Sequence, residues 1–406
     1  MILIKLAKEA LNSSSSIKWF KRNFLPLLLF VATFLVIFGH SVTAPIRGQI
    51  AFGTNFLSDD GTFYARTMLE LVGKSNNESC LTVEKKFNEL AKLIEKPNYV
   101  LCDSPNINHN ALYGPRLIYP YLAAIIYPAV NINSILWIPI LIFSLIVIFQ
   151  YRLAKYLNLS PQAIFFGIII ALTSKYFVQL SLSTAATDLI SAALVLFLFS
   201  ILVRKFSNTK LIFWVVLLIL VSTFNKQNQF FWIFFSLTLM ILIKIFHFPN
   251  KNKLYLSSVV ILILQIPSIY FVEYKWNSFS WAEQSKLFPV ANEYDNLVLE
   301  YIKIAIKILI SDSATILTKS LSTLFLFITP ILLLIFSYLN RINLKDSISN
   351  IRFSIIFCGA VFAGCFANSM IQGFGHTNLR MYLPYITVTV IPTMQLFNMY
   401  ILKLRK

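Results

Sequence analysis

Charged residues are scarce in this sequence, and those present form no separate basic domain. Asp, Glu, Lys and Arg make up only 13% of the 406 residues, whereas roughly 25% is usual in soluble proteins. The net charge of +18 arises from Lys and Arg in short clusters between apolar blocks, while a nucleic-acid-binding protein carries a contiguous basic face. These features argue against a water-soluble fold and against a nucleic-acid partner.

Cysteine is scarce as well, and its placement gives no metal motif. The four cysteines lack zinc-type spacing, so no structural zinc is predicted. Cys80 and Cys102 fall in one polar segment, where a disulfide and two free thiols are both open alternatives, and Cys358 and Cys365 fall in an apolar segment. No cofactor is assigned from the sequence, and a requirement for a divalent metal ion is left open.

Long apolar stretches, by contrast, recur along the whole chain, and 57% of its residues are hydrophobic. Because about 20 mostly apolar residues are needed to cross ~30 Å of hydrocarbon, we predict an all-α polytopic membrane protein with about ten transmembrane helices in a single domain over residues 1–406. The predicted spans are 24–41, 134–152, 161–180, 182–203, 211–224, 229–247, 254–272, 314–338, 353–370 and 381–402. The first follows basic residues as a secretory signal would, but no small-residue cleavage site follows it, so we expect it to be retained.

The distribution of Lys and Arg between these spans predicts the orientation. With the N-terminus in the cytoplasm every inner loop is basic, and the C-terminus is cytoplasmic too. Of the 17 acidic residues, all except Glu9 and Asp346 then fall on the outer side. The two long loops, 42–113 and 273–313, are also outer. We therefore expect the polar chemistry on the periplasmic or extracellular face of a bacterial inner membrane, or in the ER lumen if the organism is a eukaryote.

The first outer loop contains two predicted amphipathic helices. Asp59 and Asp60 stand at the start of the first, and Gly73 ends it as a C-cap. The apolar stripes at helical spacing are Tyr64, Met68, Leu71 and Val72 in the first helix and Val83, Phe87, Leu90 and Ile94 in the second, which Pro97 ends. The acidic pair is either an ordinary cap in a solvated loop or part of a site, since a helix N-terminus stabilises ionised carboxylates.

Other ionisable side chains lie beside the predicted spans on the outer side. They are Arg116, Asp188, Lys226, His376 and Arg380. Each taken alone fits a solvated or interfacial charge equally well, and a lone His in a glycine-containing turn is usually structural. Taken together they suggest chemistry, because cations beside a membrane can bind a lipid phosphate and a carboxylate can accept a proton from a hydroxyl.

This arrangement resembles the multispanning GT-C-type glycosyltransferases, the group that contains protein mannosyltransferases and the transferase that places aminoarabinose on lipid A. Three short segments carry the resemblance beside the topology: the acidic motif 59–65 (DDGTFYA), the segment 116–123 (RLIYPYLA) and the segment 380–384 (RMYLP). Two positions depart from the pattern, since Asp60 stands where mannosyltransferases commonly have Glu, and Gln227 follows Lys226 where some relatives have a Lys-Glu pair.

The resemblance implies a role for each of these residues. Asp59 or Asp60 would be the catalytic base, and Arg116, Lys226 and Arg380 would bind the donor phosphate. Beside what the resemblance implies, Tyr64, Asp188, His376 and Tyr382 are candidates for accessory roles, and His376 is an alternative base or a donor to the phosphate. The expected activity is transfer of a sugar from a polyprenyl-phosphate-linked donor to a glycan, lipid or protein acceptor of the cell envelope, on the non-cytoplasmic face of the membrane and among its lipids.

Two other functions are weighed against this one. A lipid or glycan transporter or flippase would keep charged or broken-helix sites at mid-membrane, and it often shows internal repeats; the sequence shows few such charges and no visible repeat. An O-antigen polymerase or ligase would carry its large outer loop late in the chain, whereas here the largest outer loop is the first.

Overall fold

The computed structural model describes a chain made of helices. The described residues are 24–39, 59–93, 116–174, 177–178, 181–182, 186–204, 206–225, 229–248, 251–276, 303, 306–307, 310, 321–339, 347–372 and 379–404. Within them there are α-helices and short 3-10 turns but no strand, which confirms the predicted all-α fold class. The side chains of Asp59, Asp60 and Arg380 are outside the described part, as are Lys226 and His376 altogether.

Thirteen helices of the described ranges are used below. They are α1 Phe24–Gly39, α2 Asp59–Leu71, α3 Asn76–Leu93, α4 Ile118–Val130, α5 Ser134–Tyr156, α6 Pro161–Thr173, α7 Ala186–Val203, α8 Asn208–Asn225, α9 Gln229–Ile245, α10 Lys251–Trp276, α11 Leu321–Leu339, α12 Ser347–Gln372 and α13 Leu383–Leu404. A 3-10 turn, Asn131–Asn133, joins α4 to α5, and a second one, Leu379–Tyr382, precedes α13.

The length and composition of these helices make the chain an α-helical integral membrane protein. Within the described residues, six helical stretches are long and apolar enough to cross a bilayer: Ile118–Tyr156, Asn208–Asn225, Lys251–Tyr270, Leu321–Leu339, Asn350–Ser369 and Leu383–Leu402. Four further apolar helices are shorter: Phe24–Gly39, Pro161–Thr173, Thr187–Val203 and Phe230–Ile245. Each predicted span overlaps one of these stretches, but the count of about ten spans is not confirmed and stays a prediction.

Local sequence signals explain several helix ends. Ser160 caps α6, its hydroxyl accepting from the Ala163 backbone N–H at 3.4 Å, and Pro161 occupies the first helical position, where its missing N–H costs nothing. Gly73 ends α2 with a φ of +94°. Its N–H donates to the Glu70 carbonyl and that of Lys74 to the Leu69 carbonyl, both at 3.0 Å, which is the Schellman arrangement. The predicted C-cap is therefore confirmed.

The last helix, α13, forms the centre of the bundle. It packs against α6, α7, α11 and α12 and more lightly against α5, and every residue from Met381 to Gln395 is buried. Close approach needs small residues: a Cβ added to Gly167 of α6 would lie 2.3 Å from the Met394 side chain of α13. Small residues that let helix backbones approach are the usual means of packing in a membrane, where apolar burial provides little drive.

Some predicted details of the first loop and of the helix bounds differ in the structure. In α2 Leu69 is buried and Leu71 is exposed, because the helix packs on α3 and α4 at once and its buried face is rotated from the predicted stripe. Helix α3 is described as far as Leu93, and the predicted stop at Pro97 is outside the described residues. The regular helix α6 ends at Thr173 because Ser174 is extended, and α10 continues to Trp276, which adds the first four residues of the predicted second loop.

The cysteines fall into two groups. Cys80 in α3 is disulfide-bonded, while Cys102, its predicted partner, is outside the described residues. Cys358 and Cys365 of α12 are free and buried. Of the two alternatives for Cys80, the structure has the disulfide.

Candidate functional site

The first turns of α2 after the acidic pair are buried. The helix begins at Asp59, and the five residues from Gly61 to Ala65 are all buried. A helix on a solvated surface would bury only one face of its first turns. This part of α2 is therefore packed inside the protein, and the side chains of Asp59 and Asp60, which precede it, are outside the described part.

Arg116 meets this helix one turn after the acidic pair. Its Nη1 donates to the Tyr64 hydroxyl at 3.3 Å, across 52 positions of sequence. Tyr64 follows Asp60 by four residues, so their side chains start about 5–6 Å apart on one face of the helix. Arg116 and the acidic pair are predicted to share a site, and the structure places Arg116 in contact with α2 one helical turn after that pair.

Tyr119 connects the contact between Arg116 and Tyr64 to helix α5. Its ring meets the Tyr64 ring edge to face, with centroids 5.0 Å apart, and its hydroxyl donates to the Ile135 carbonyl at 2.7 Å in the first turn of α5. The hydroxyl of Ser134, also in that turn, lies 2.8 Å from the Met68 sulfur of α2. Tyr64 and Tyr119 are both fully buried, so the position of Arg116 is set by packed aromatic side chains.

A second polar cluster lies where α7 and α9 begin and α12 ends. Asp188 is 4% exposed in the first turn of α7. It lines a small cavity, with room for about one water molecule, whose walls are Ser191, Val195, Phe231, Trp232, Asn368, Met381 and Pro384. A buried carboxylate, an amide and two aromatic rings thus surround one small space.

Asn225, the last residue of α8, ties this cluster together. Its amide nitrogen donates to the Thr187 carbonyl at 2.8 Å and to the Ser191 hydroxyl at 3.0 Å, so it holds α8 against the first turn of α7. Its amide oxygen is buried and has no hydrogen-bond partner among the described residues. Trp232 of α9 adds a bond from its ring nitrogen to the Ser222 hydroxyl at 2.7 Å. Lys226, a predicted phosphate ligand, directly follows this fixed residue in the chain.

Two predicted site residues, Arg380 and Tyr382, precede the last helix, and the structure describes the side chain of Tyr382. Tyr382 is 1% exposed, and its ring packs near Phe327 and Phe362, with centroids 6.0 and 5.9 Å away. That environment is aromatic core, so Tyr382 positions the turn before α13. Arg380 belongs to the same 3-10 turn, two residues before Tyr382, and Met381 between them lines the Asp188 cavity.

Helix α4 joins the two groups of residues. It packs against α2 and α5, which carry the Tyr64 contact, and more lightly against α7 and α8, which carry Asp188 and Asn225. We call the end of the bundle where α5, α7 and α9 begin the site end. It contains the described members of the predicted site, Tyr64, Arg116, Asp188 and Tyr382, together with the helical start at Asp59 and Asp60.

Sequence reasoning missed several polar residues of this end. Asn368, Ser191 and Trp232 line the cavity of Asp188, and Asn225 bonds to the turn that carries it, but the sequence predicts no role for any of the four. The available signal is an amide at the end of an apolar stretch, since a polar group that enters hydrocarbon needs a partner. That rule identifies Asn225 and Asn368 but does not identify their partners.

The described residues form no group of three or more His, Cys, Asp or Glu side chains that could hold a metal ion; the carboxylates of Asp59 and Asp60 and the ring of His376 lie outside that part of the chain. The site is thus one of buried tyrosines, an arginine, a carboxylate and amides at one end of a helical bundle. Comparison of the chain with known protein families, with curated proteins and with solved structures finds no match.

Proposed function

We propose that the protein is a glycosyltransferase that moves a sugar from a polyprenyl-phosphate-linked donor to an acceptor on the non-cytoplasmic side of the membrane. The observation that carries the proposal is the contact between Arg116 and Tyr64, which follows Asp60 by one turn of α2. An arginine near carboxylates, beside a membrane, suits a lipid phosphate and a hydroxyl acceptor at once.

In this proposal the acceptor oxygen attacks the anomeric carbon of the donor sugar. Asp59 or Asp60 accepts the proton of that hydroxyl, the bond from the anomeric carbon to the phosphate oxygen breaks, and polyprenyl phosphate leaves with the electron pair. Attack opposite the leaving group inverts the configuration. Arg116 holds the phosphate with Lys226 and Arg380, and the hydroxyl of Tyr64 orients the Arg116 guanidinium. Fixed cations that face the developing phosphate charge stabilise the transition state.

The proposal includes the arrangement in the membrane. The ten apolar helices cross the bilayer, the N- and C-termini are cytoplasmic, and the site end faces the periplasm or the cell exterior of a bacterium. Asp188 and the small cavity that it lines lie at the same end of the bundle, behind that face.

The test is transfer of radiolabelled sugar by purified protein in lipid, using a panel of polyprenyl-phosphate sugars as donors. The variant D59N/D60N keeps the shape of the helix start and removes both bases, so we expect transfer to fall by about 10²-fold or more. The matched control is E70Q, which removes a carboxylate from the other end of the same helix, where it pairs with Arg66 at 3.2 Å; it should retain activity.

Two results would contradict the proposal. One is wild-type transfer by D59N/D60N, which would exclude both aspartates as the base. The other is no donor consumption across the panel while labelled lipid or glycan crosses the bilayer unchanged, which would make the protein a transporter.

A further inference from the structure

An apolar groove of about 610 Å³ runs between α1 and α5. From α1 it is lined by Phe30, Phe34 and Phe38, and from α5 by Trp137 and Ile148 among other apolar side chains. It runs along both helices for most of their length and takes no part in the site described above.

The groove exists because α1 meets the rest of the bundle along a narrow edge. Leu29 and Thr33, one turn apart, are 3% and 6% exposed and fill that edge. The Thr33 hydroxyl donates to the Leu29 carbonyl at 2.7 Å, so its polar hydrogen is satisfied within the helix. Phe30, Phe34 and Phe38 stay more than half exposed beside the edge, and they form one wall of an open channel.

Among the described residues, the charge on this channel lies at one end. Arg152 is the charged residue among the described ones that line the groove, and it stands near the end of α5. Lys155 follows it by three residues, with its ammonium 5.3 Å from the centre of the ring of Tyr151, which also lines the groove. At the other end the described lining residues are Phe38 and Trp137, which are apolar. The described lining therefore has a positive terminus beside Arg152 and apolar walls beyond it.

The channel has the dimensions of a lipid chain. Trp137 and Arg152 are 15 positions apart, which is about 22 Å along a helix at 1.5 Å per residue. One leaflet contributes about half of the ~30 Å hydrocarbon core. An acyl chain that enters beside Arg152 therefore finds apolar walls over its whole length.

We propose that this groove is a binding site for an anionic glycerophospholipid of the leaflet at the Arg152 end, with one acyl chain between α1 and α5 and the phosphate against Arg152 and Lys155. Charge complementarity selects this occupant, because a zwitterionic lipid would fill the apolar walls equally well but gain less from two cations. A bound chain would also extend the narrow contact between α1 and α5, so the lipid stabilises the folded protein.

The test measures the thermal unfolding midpoint of the full chain in detergent, titrated with phosphatidylglycerol or with phosphatidylcholine of the same acyl chains. We expect phosphatidylglycerol to raise the midpoint at lower concentration than phosphatidylcholine. R152Q should weaken its apparent affinity by ~fivefold, since one Lys or Arg near an anionic head group contributes about that factor. R152K should retain most of the affinity.

Two further variants distinguish lipid binding in the groove from a general attraction between a basic protein and an anionic lipid. S144F places a ring in the middle of the channel without changing charge, and it should remove the phosphatidylglycerol effect. K244Q removes an exposed cation from the last turn of α9, away from the groove, and it should leave the effect intact. Equal response to both lipids, or an unchanged phosphatidylglycerol affinity in R152Q and S144F, would overturn the proposal, as would native mass spectrometry that finds a second copy of the chain in place of lipid.

Discussion

Tyr64 makes two contacts with two different parts of its side chain. The ring packs against Tyr119, and the hydroxyl accepts from Arg116. The two can be separated by mutation, because phenylalanine keeps the ring and removes only the oxygen. Replacing Tyr64 with phenylalanine therefore tests whether sugar transfer depends on the orientation of Arg116, while the packing of α2 is kept.

We expect Y64F to lower sugar transfer by about tenfold, which is what loss of one hydrogen bond to a charged group gives, and to change the unfolding midpoint by little. The control is Y121F, which removes a hydroxyl from a side chain of α4 that is 58% exposed and should leave transfer unchanged. Transfer by Y64F at the wild-type rate would show that the hydroxyl does not position Arg116. A large fall in the midpoint would assign Tyr64 to packing instead.

Helices α9 and α12 approach each other through glycines of α12. A Cβ added to Gly364 would lie 2.8 Å from the Phe231 backbone oxygen and from its ring, whereas at Gly359 the neighbour is the far end of the Leu242 side chain at 2.9 Å. A backbone cannot rotate away as a leucine tip can. Phe231 also lines the cavity of Asp188, so this contact couples helix packing to the site end.

These contacts predict an order of stability. We expect G364A to lower the free energy of unfolding by about 1–3 kcal/mol, the usual cost of overpacking, and G359A to have a smaller effect. G39A, where nothing lies within 4 Å of the added Cβ, is the control and should be neutral or slightly stabilising. Thermal unfolding in detergent measures the series. Equal midpoints for G364A and G39A would mean that α9 and α12 are not in close contact.

At the level of helices, the sequence predicts the features that depend on residues close together in the chain. The apolar stretches and the Gly73 cap depend on residues a few positions apart, so they were predicted correctly. The buried face of α2 depends on α3 and α4 together, which is why Leu71 was expected inside and Leu69 was not. For Arg116 and the acidic motif, the sequence predicts only that both lie on the same side of the membrane. The contact of Asn225 with Thr187 and Ser191 could not be predicted, because it joins the ends of separate helices.

Among the described residues of the whole molecule, the end opposite the site end is basic. Lys or Arg stands in the last turn of α5, directly after α7 and in the first turns of α8 and α10. Contacts bring these ends together: the Arg204 guanidinium lies 5.7 Å from the centre of the Tyr156 ring, and the Lys253 ammonium donates to the Phe206 carbonyl at 2.6 Å. The basic end is thus a feature of the fold, and the rule that basic loops face the cytoplasm predicts that it is the inner end.

This orientation can be tested with a membrane-impermeant maleimide, with the unsubstituted protein as the background control. The described native cysteines should react little, because Cys358 and Cys365 are buried and Cys80 is disulfide-bonded. K85C places an exposed thiol on α3, near the site end, and N208C places one at the start of α8, at the basic end. In intact cells we expect labelling of K85C but not of N208C, and labelling of both after permeabilisation. The reverse pattern would put the acidic start of α2 in the cytoplasm. Nucleotide-activated sugars would then be available to that face, so a polyprenyl-phosphate donor would no longer be required. The argument for a lipid-linked donor would therefore no longer hold.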